Sequence, residues 1–478
     1  MLNKFFRDGL VYTLGNILSK ALVFILLPLY TKILTPTDYG VIDLLNIFGN
    51  LINLTIALEI TQAIAIYYIE AKEKENKKEY ASTAIIFTFV VYNIFLFVSY
   101  LFKNEISYLI LGNESYANVF MLSAISIYFN GFLYFFQNLL RANFQVKIYT
   151  LLSIIFSLSS IISSIIFILI LKMGIYGSFY GLIIGNIIGN IFGFYFTKDL
   201  YGLKFNFEKF KEMLKFSIPL VPSSIGVFLF IYIDRISIKE LMTAADVGLY
   251  GIAYKFASIV SIILGGFQTS VTPLVYESYK EEKTPYEISK IFNLFSFVSF
   301  IFILFFSSFS LEIISLFTTK DYIPAYKVIP LLVGSVVLSL IYVFAPGLGI
   351  NKKSKEIAFI NIFCGIINTL LNFILIPILY LSGSALATLI TGLTMFSLYV
   401  IKGQKLYYIP YNWSKIFLAM FISSVFYFLT IQIDIFSLYY ILYKGSLFII
   451  TSAFLAFLFL DKESFNKIKN KFIHKIKK

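Results

Sequence analysis

Apolar runs of about twenty residues or more, interrupted by short polar or Pro/Gly breaks, repeat along the whole chain. The breaks divide it into fourteen segments: 10–34, 40–69, 80–102, 117–140, 148–171, 175–196, 213–240, 247–277, 288–313, 326–350, 357–380, 383–401, 413–433 and 437–460. Crossing a hydrocarbon layer ~30 Å thick takes roughly 20 apolar residues in a helix. Backbone N–H and C=O groups surrounded by lipid must be satisfied within their own segment, which makes the helix the default. The spacing therefore predicts an all-α membrane protein of fourteen transmembrane helices. The connections are short, and even Lys103–Tyr116 is too small to fold into a domain.

Composition points the same way. Of 478 residues, 59% are hydrophobic and only 14% charged; no soluble core can absorb that much apolar surface. The first apolar stretch runs past Lys20 for a full span without a small-residue cleavage site, so it reads as a helix rather than a removable signal. The single cysteine, Cys364, lies inside an apolar run and excludes an intramolecular disulfide. Lys and Arg collect in cytoplasmic loops of membrane proteins. With the N-terminus inside, 29 of the 39 fall in inner segments, seven in outer loops (Lys32, Lys103, Lys172, Lys239, Lys320, Lys327 and Lys444) and three within spans. Both termini are therefore expected in the cytoplasm, in a multi-pass protein of the inner (cytoplasmic) cell membrane. The net charge of +13 is read as this topology signal, and no nucleic-acid partner is expected. In Ser464–Lys478 the residues Phe465, Ile468, Phe472, Ile473 and Ile476 share one helical face opposite lysines. That pattern suits either a helix lying on anionic membrane lipids or a solvated tail.

The chain also repeats itself. At an offset of 208 residues Thr35-Pro-Thr-Asp38-Tyr-Gly40 lands on Thr243-Ala-Ala-Asp246-Val-Gly248 without a gap, and at 206 Gly177-Ser178 meets Gly383-Ser384. Spans 1–6 and 7–12 read as parallel copies of one six-helix unit. The expected organisation is a bundle over 1–200, a second over 201–402, two further helices over 403–460 and a basic cytoplasmic tail over 461–478. Transporters built from such repeats hold their cargo near the midplane, between the halves.

Several stretches carry a family resemblance. Leu214-Lys-Phe-Ser-Ile-Pro219-Leu-Val-Pro222-Ser-Ser224, Asp234-Arg235 and Ala244-Ala-Asp-Val-Gly248-Leu-Tyr250-Gly-Ile-Ala253-Tyr254-Lys255 resemble the second-half signature of polysaccharide flippases. These are the Wzx-type O-antigen and capsule translocases of the MOP superfamily, related to the MATE exporters. Leu139-Leu-Arg141-Ala142, Tyr322-Ile-Pro324-Ala325-Tyr326, Asn368 with Asn372, and Gly383-Ser384-Ala385 agree. The resemblance implies a V-shaped, MATE-like fold of two bundles around a central cavity. It also implies a flippase moving a polyprenyl-diphosphate-linked glycan from the inner to the outer leaflet for cell-surface polysaccharide biosynthesis.

Such cargo must pass phosphates and hydroxyls through a low-dielectric slab, which calls for a wet, cationic interior. Ionisable groups inside spans cost at least ~2.5–3.5 kcal/mol each and face a cavity or pair up. Here they are Lys20, Glu59, Asp234, Arg235 and Lys255, with Asp43 nearer an interface. Lys20, Arg235 and Lys255 are the candidate cavity cations; Lys20 and Arg235 come from opposite halves, as a phosphate clamp requires. Glu59 and Asp234 are candidate coupling or ion-pair carboxylates, since Asp234 could pair with Lys255 and Glu59 with Lys20. Asn46, Asn50 and Asn53, with Asn130, Gln137 and Asn138, and Asn361, Asn368 and Asn372, suit sugar hydroxyls or, preferentially, bonds between helices. The Gly181, Gly185, Gly189, Gly193 run predicts a close backbone crossing, and Pro219, Pro222 and Pro377 predict kinks. The lone histidine, His474, lies in the tail, and the sequence holds no phosphate loop, metal cluster or nucleophile triad. No cofactor and no enzymatic activity are expected; energy would come from a proton or sodium gradient or from consumption of the cargo on the far side. The alternatives are a cation-coupled MATE-like exporter, which would want an acidic cavity, and a membrane glycosyltransferase or polymerase, which would want a large acidic loop.

Overall fold

The computed structural model describes residues 27–431 and 437–459. Every regular element among them is helical: α1 Leu27–Ile33, α2 Pro36–Thr55, α3 Ile60–Glu70, α4 Lys74–Leu101, α5 Lys103–Leu111, α6 Ala117–Ala142, α7 Val146–Ile165, α8 Gly174–Thr197, α9 Phe207–Ser217, α10 Val221–Leu241, α11 Ala244–Ser278, α12 Thr284–Phe317, α13 Ile329–Leu340, α14 Gly347–Ile350, α15 Ser354–Leu406, α16 Trp413–Ile431 and α17 Leu438–Phe459, with short 3₁₀ turns between some of them. Among the described residues ten helices are long and apolar enough to cross a membrane, or up to twelve when two bent pairs each count as one span. The all-α, multi-pass class is as the sequence indicates, while the expected fourteen are not reached by this count. Most of span 1, including Lys20, and all of the basic tail lie outside the described residues. The chain divides into two compact units whose boundary falls between Gly248 and Leu249.

One reason the count is low is α15, whose 53 residues would extend ~80 Å as a straight helix. It does not run straight. Tyr380 has φ 54° and ψ −136°, outside helical values, three residues after Pro377. The Ser384 hydroxyl donates to Asn372 Oδ1 at 2.7 Å and the Tyr399 hydroxyl to Asn361 Oδ1 at 3.1 Å. Residues 38 apart can touch only if the two arms lie antiparallel. Asn361 and Asn372 thus join helices, and spans 11 and 12 are the two arms of one hairpin.

In the first unit the glycine run of α8 makes the expected close crossing. A Cβ on Gly181 or Gly185 would overlap Ser164 or Ser160 of α7, while Gly193 lies against Phe136 of α6. Small residues let backbones approach where lipid offers no hydrophobic drive for association. The start of α2 meets the start of α11 in a second such contact. A Cβ on Gly40 would overlap the Ala244 carbonyl, and a Cβ on Gly248 would overlap that of Pro36. Each helix start is closed by the same side chains: Thr35 with Asp38 at 2.8 Å, and Thr243 with Asp246 at 2.6 Å. The shared pattern at offset 208 is therefore also a shared local structure.

Three asparagines of this unit bond one another across helices. Tyr92 donates to Asn53 at 2.7 Å, Asn53 to Asn130 at 3.0 Å, and Asn130 to Asn186 at 3.3 Å, linking α4, α2, α6 and α8. Such bonds average ~0.6 kcal/mol each in membrane proteins. In the second unit Phe300 and Leu304 of α12 pack with Ala419 and Phe426 of α16 and Leu455 and Phe459 of α17.

Gly185→Leu is expected to destabilise the protein by roughly 1–3 kcal/mol through overpacking against Ser160. Gly365→Ala, whose Cβ would meet nothing within 4 Å, is expected to leave the midpoint of thermal unfolding in detergent unchanged or slightly raised. Equal losses from both would contradict the crossing.

Candidate functional site

Four ionisable residues of the first unit, Asp43, Glu59, Asp234 and Arg235, lie along one seam between α2–α3 and α10. The α2–α3 pair is a span broken by a 43° bend. At the break Leu58 and Glu59 take φ of 49° and 55°, a left-handed conformation that costs of order 1–3 kcal/mol per non-glycine residue and persists only where surrounding contacts hold it. Glu59 is buried, and the Ser224 hydroxyl of α10 donates to its carboxylate.

Further along, Tyr232 of α10 accepts a hydrogen bond from Asn50 Nδ2 of α2 at 3.1 Å. Beyond it Arg235 reaches Asp43 of α2, Nε to Oδ2 at 3.3 Å, and its own neighbour Asp234, Nη1 to Oδ1 at 3.2 Å. Nη1 also donates to the Ile231 carbonyl, and the guanidinium lies over the Tyr232 ring, 5.8 Å from its centroid. Asp234 and Arg235 are each 3% exposed. As numbers rise along α2–α3 from 43 to 59, their partners on α10 fall from 235 to 224, so the helices are antiparallel and the seam is continuous. Eleven residues of α10 correspond to ~16 Å of depth, about half a hydrocarbon core.

The structure thus brings together three of the five expected ionisable residues, Glu59, Asp234 and Arg235. Asp234 is paired with its chain neighbour Arg235. Lys255 lies in the second unit, on α11 and partly buried, with its carbonyl accepting from Ser258. Lys20 lies outside the described residues.

Sequence reasoning quoted Ser224 only as part of the family resemblance and missed Tyr232; both are unremarkable residue types whose positions become informative only once α10 lies along α2–α3. It also misplaced Lys444. Taken as an outer-loop lysine, Lys444 is instead on α17, 2% exposed, and bonds Glu312 of α12 at 3.0 Å. The correction has a physical reason: a cation flanked by apolar residues reads as a loop only while its carboxylate partner, 132 residues earlier, is unseen. Among the described residues no group of His, Cys, Asp and Glu could hold a metal ion.

Removing one partner of a buried ion pair leaves an uncompensated charge and costs ~3–5 kcal/mol, whereas replacing both with apolar groups is often neutral. Lys444→Ala is therefore expected to lower thermal stability strongly, and Lys444→Met with Glu312→Leu to recover most of the loss. Arg235→Ala is expected to cost about as much as Lys444→Ala, and Asp43→Asn less, because Asp234 still answers the guanidinium.

The family described as "Polysaccharide biosynthesis protein" matches residues 5–278, more than half of the chain. A protein of the Lsg locus of Haemophilus influenzae is 25% identical over 289 residues, covering 59% of this chain and 68% of that one. Among solved structures, the lipid II flippase MurJ in an inward closed conformation superposes with a TM-score of 0.75 at 17% identity, covering 94% of this chain and 98% of its own. A multidrug resistance MATE family transporter of the MOP superfamily, inward-facing, gives 0.65 at 17% identity over 82% and 94%. Apolar helices in these numbers, a polar seam on a broken span, the matched family and the shared fold converge: the chain belongs to the polysaccharide biosynthesis protein family and has the fold of MOP-superfamily transporters.

Proposed function

We propose that this protein is a flippase, not an enzyme, carrying a polyprenyl-diphosphate-linked oligosaccharide from the inner to the outer leaflet of the cytoplasmic membrane. Movement is by alternating access of two six-helix bundles, with both termini in the cytoplasm. The reading rests on family membership and on the fold shared with MurJ, itself a lipid II flippase. The observation that carries it to particular residues is the polar seam of α10 against the broken α2–α3 span. A permanently charged, planar guanidinium suits bidentate binding of phosphate oxygens. In the conformation described, Arg235 is held by Asp43 and Asp234, so cargo binding exchanges a carboxylate for a diphosphate. Lys20 and Lys255 supply the remaining positive charge. Glu59, held at a strained break by Ser224, is the coupling group for a proton gradient: protonation weakens what it offers Ser224 and lets the break relax.

The test uses proteoliposomes loaded with a fluorescent polyprenyl-diphosphate oligosaccharide, with translocation read as protection from an impermeant quencher. Asp43→Asn and Asp234→Asn with Arg235→Gln removes the cation without stranding either carboxylate and is expected to fold yet lose translocation at least tenfold. Normal translocation would remove Arg235 from the cargo path. An imposed proton gradient is expected to accelerate the native protein and not Glu59→Gln. A gradient response retained in that variant would place coupling elsewhere. Export of a cationic dye in place of the labelled lipid would favour a MATE-like exporter.

A further inference from the structure

Between α8 and α10 the chain passes through a short linker and α9. The linker and helix carry exposed Leu203, Phe205 and Phe207, and the turn after α9 exposes Ile218; Leu203, at 92%, is the most exposed large apolar residue among those described. Four exposed apolar side chains within sixteen residues, beside exposed Lys204, Lys211 and Lys215, make neither a solvated loop nor a lipid-facing span.

The order of side chains around α9 gives it a direction. At about 100° per residue, its outward arc runs from Phe207, Leu214 and Ile218, through a row of Lys211 and Lys215, to Glu208 and Glu212 on the far edge. Contacts on its inner side fix which edge points into the membrane. Phe210 packs on Phe87 of α4, with ring centroids 4.9 Å apart, at the level where α4 becomes continuously apolar. Phe205 and Phe207 flank Phe210 at 5.4 and 6.3 Å. Lys209 reaches the other way along α4, to Glu79 at 2.6 Å and Asn76 at 2.8 Å near its polar start. The apolar edge of the arc therefore adjoins the deep side of α9, and the acidic edge adjoins the polar end of α4.

We propose that α9 and its linker form an interfacial foot. Leu203, Phe205, Phe207 and Ile218 enter the hydrocarbon boundary, Lys204, Lys211 and Lys215 meet anionic phospholipid headgroups, and Glu208 and Glu212 face water. The occupant is a lipid leaflet because the basic row lies between an apolar and an acidic edge, the sequence of environments met on leaving a membrane. The foot is tied to the first unit by Glu79, which also accepts from Lys204 at 3.1 Å and Asn206 at 3.2 Å. A 3₁₀ turn at Ile218–Leu220, containing Pro219, joins it to α10. Headgroup contact thus bears on the helix that carries Asp234 and Arg235.

Neither arm of the test requires cargo or transport, so it stands apart from the flippase reading. Single cysteines at 203, 207 and 208 in a Cys364→Ser background, spin-labelled and reconstituted, report collision with oxygen against a water-soluble nickel chelate. Labels at 203 and 207 are expected to favour oxygen and the label at 208 nickel. Water-accessible labels at 203 and 207, as for a patch kept for a soluble protein partner, would overturn the proposal. In the second arm thermal unfolding is compared in phosphatidylcholine vesicles with and without phosphatidylglycerol. The native protein is expected to gain several degrees from the anionic lipid, and Lys211→Gln with Lys215→Gln to lose that gain while keeping its midpoint in phosphatidylcholine. An equal gain in both proteins, or none in either, would refute the headgroup role of the lysines.

Discussion

Every polar group placed inside a hydrocarbon layer has to be answered by another part of the same chain, and most of this architecture follows from that demand. The backbone answers itself by being helical. Side chains answer in pairs: Arg235 with Asp43 and Asp234, Lys444 with Glu312, Glu59 with Ser224, Asn53 with Tyr92 and Asn130. Apart from Asp234, which is the chain neighbour of Arg235, these partners lie on different helices, so their pairing also fixes how two elements are placed. Polarity in the spans serves as addressing before it serves any cargo.

The seam along α10 differs from the asparagine network in what it holds in reserve. Asparagine bonds linking four helices are neutral, numerous and individually weak, which favours a bundle that moves as one piece. The seam concentrates charge at Arg235 and backbone strain at Leu58–Glu59. A group with two competing partners can exchange one of them with little change in its own solvation. A bent span held in an unfavourable backbone conformation has somewhere to go when its holding contact weakens. The first unit therefore combines a rigid interior with one edge suited to rearrangement.

Much of this was legible in the chain. The period of apolar runs marked helices and breaks, so the all-α membrane class needed no partner information. The Gly181 to Gly193 spacing marked a close crossing, and lone charges in spans marked Glu59, Asp234 and Arg235. What could not be read were pairings between distant elements. Asp43 looked interfacial and Ser224 ordinary until α10 lay beside α2; Lys444 looked like a loop residue until Glu312 stood opposite. At α15 span counting did better: the break it set between residues 380 and 383 is where Tyr380 turns the chain back and separates spans 11 and 12. Local physics gives each residue's cost in lipid, whereas the three-dimensional fold decides who meets that cost.

The contact between the starts of α2 and α11 has a consequence beyond packing. Gly40 rests against Ala244 as Gly248 rests against Pro36, so the surface presented from one side is the surface presented from the other. A self-matching contact of this kind has the geometry of an isologous interface, in which each side offers the other the same small residue against the same stretch of backbone. A side chain at either glycine would displace the opposite backbone, so the closeness of the two helix starts depends on both positions at once.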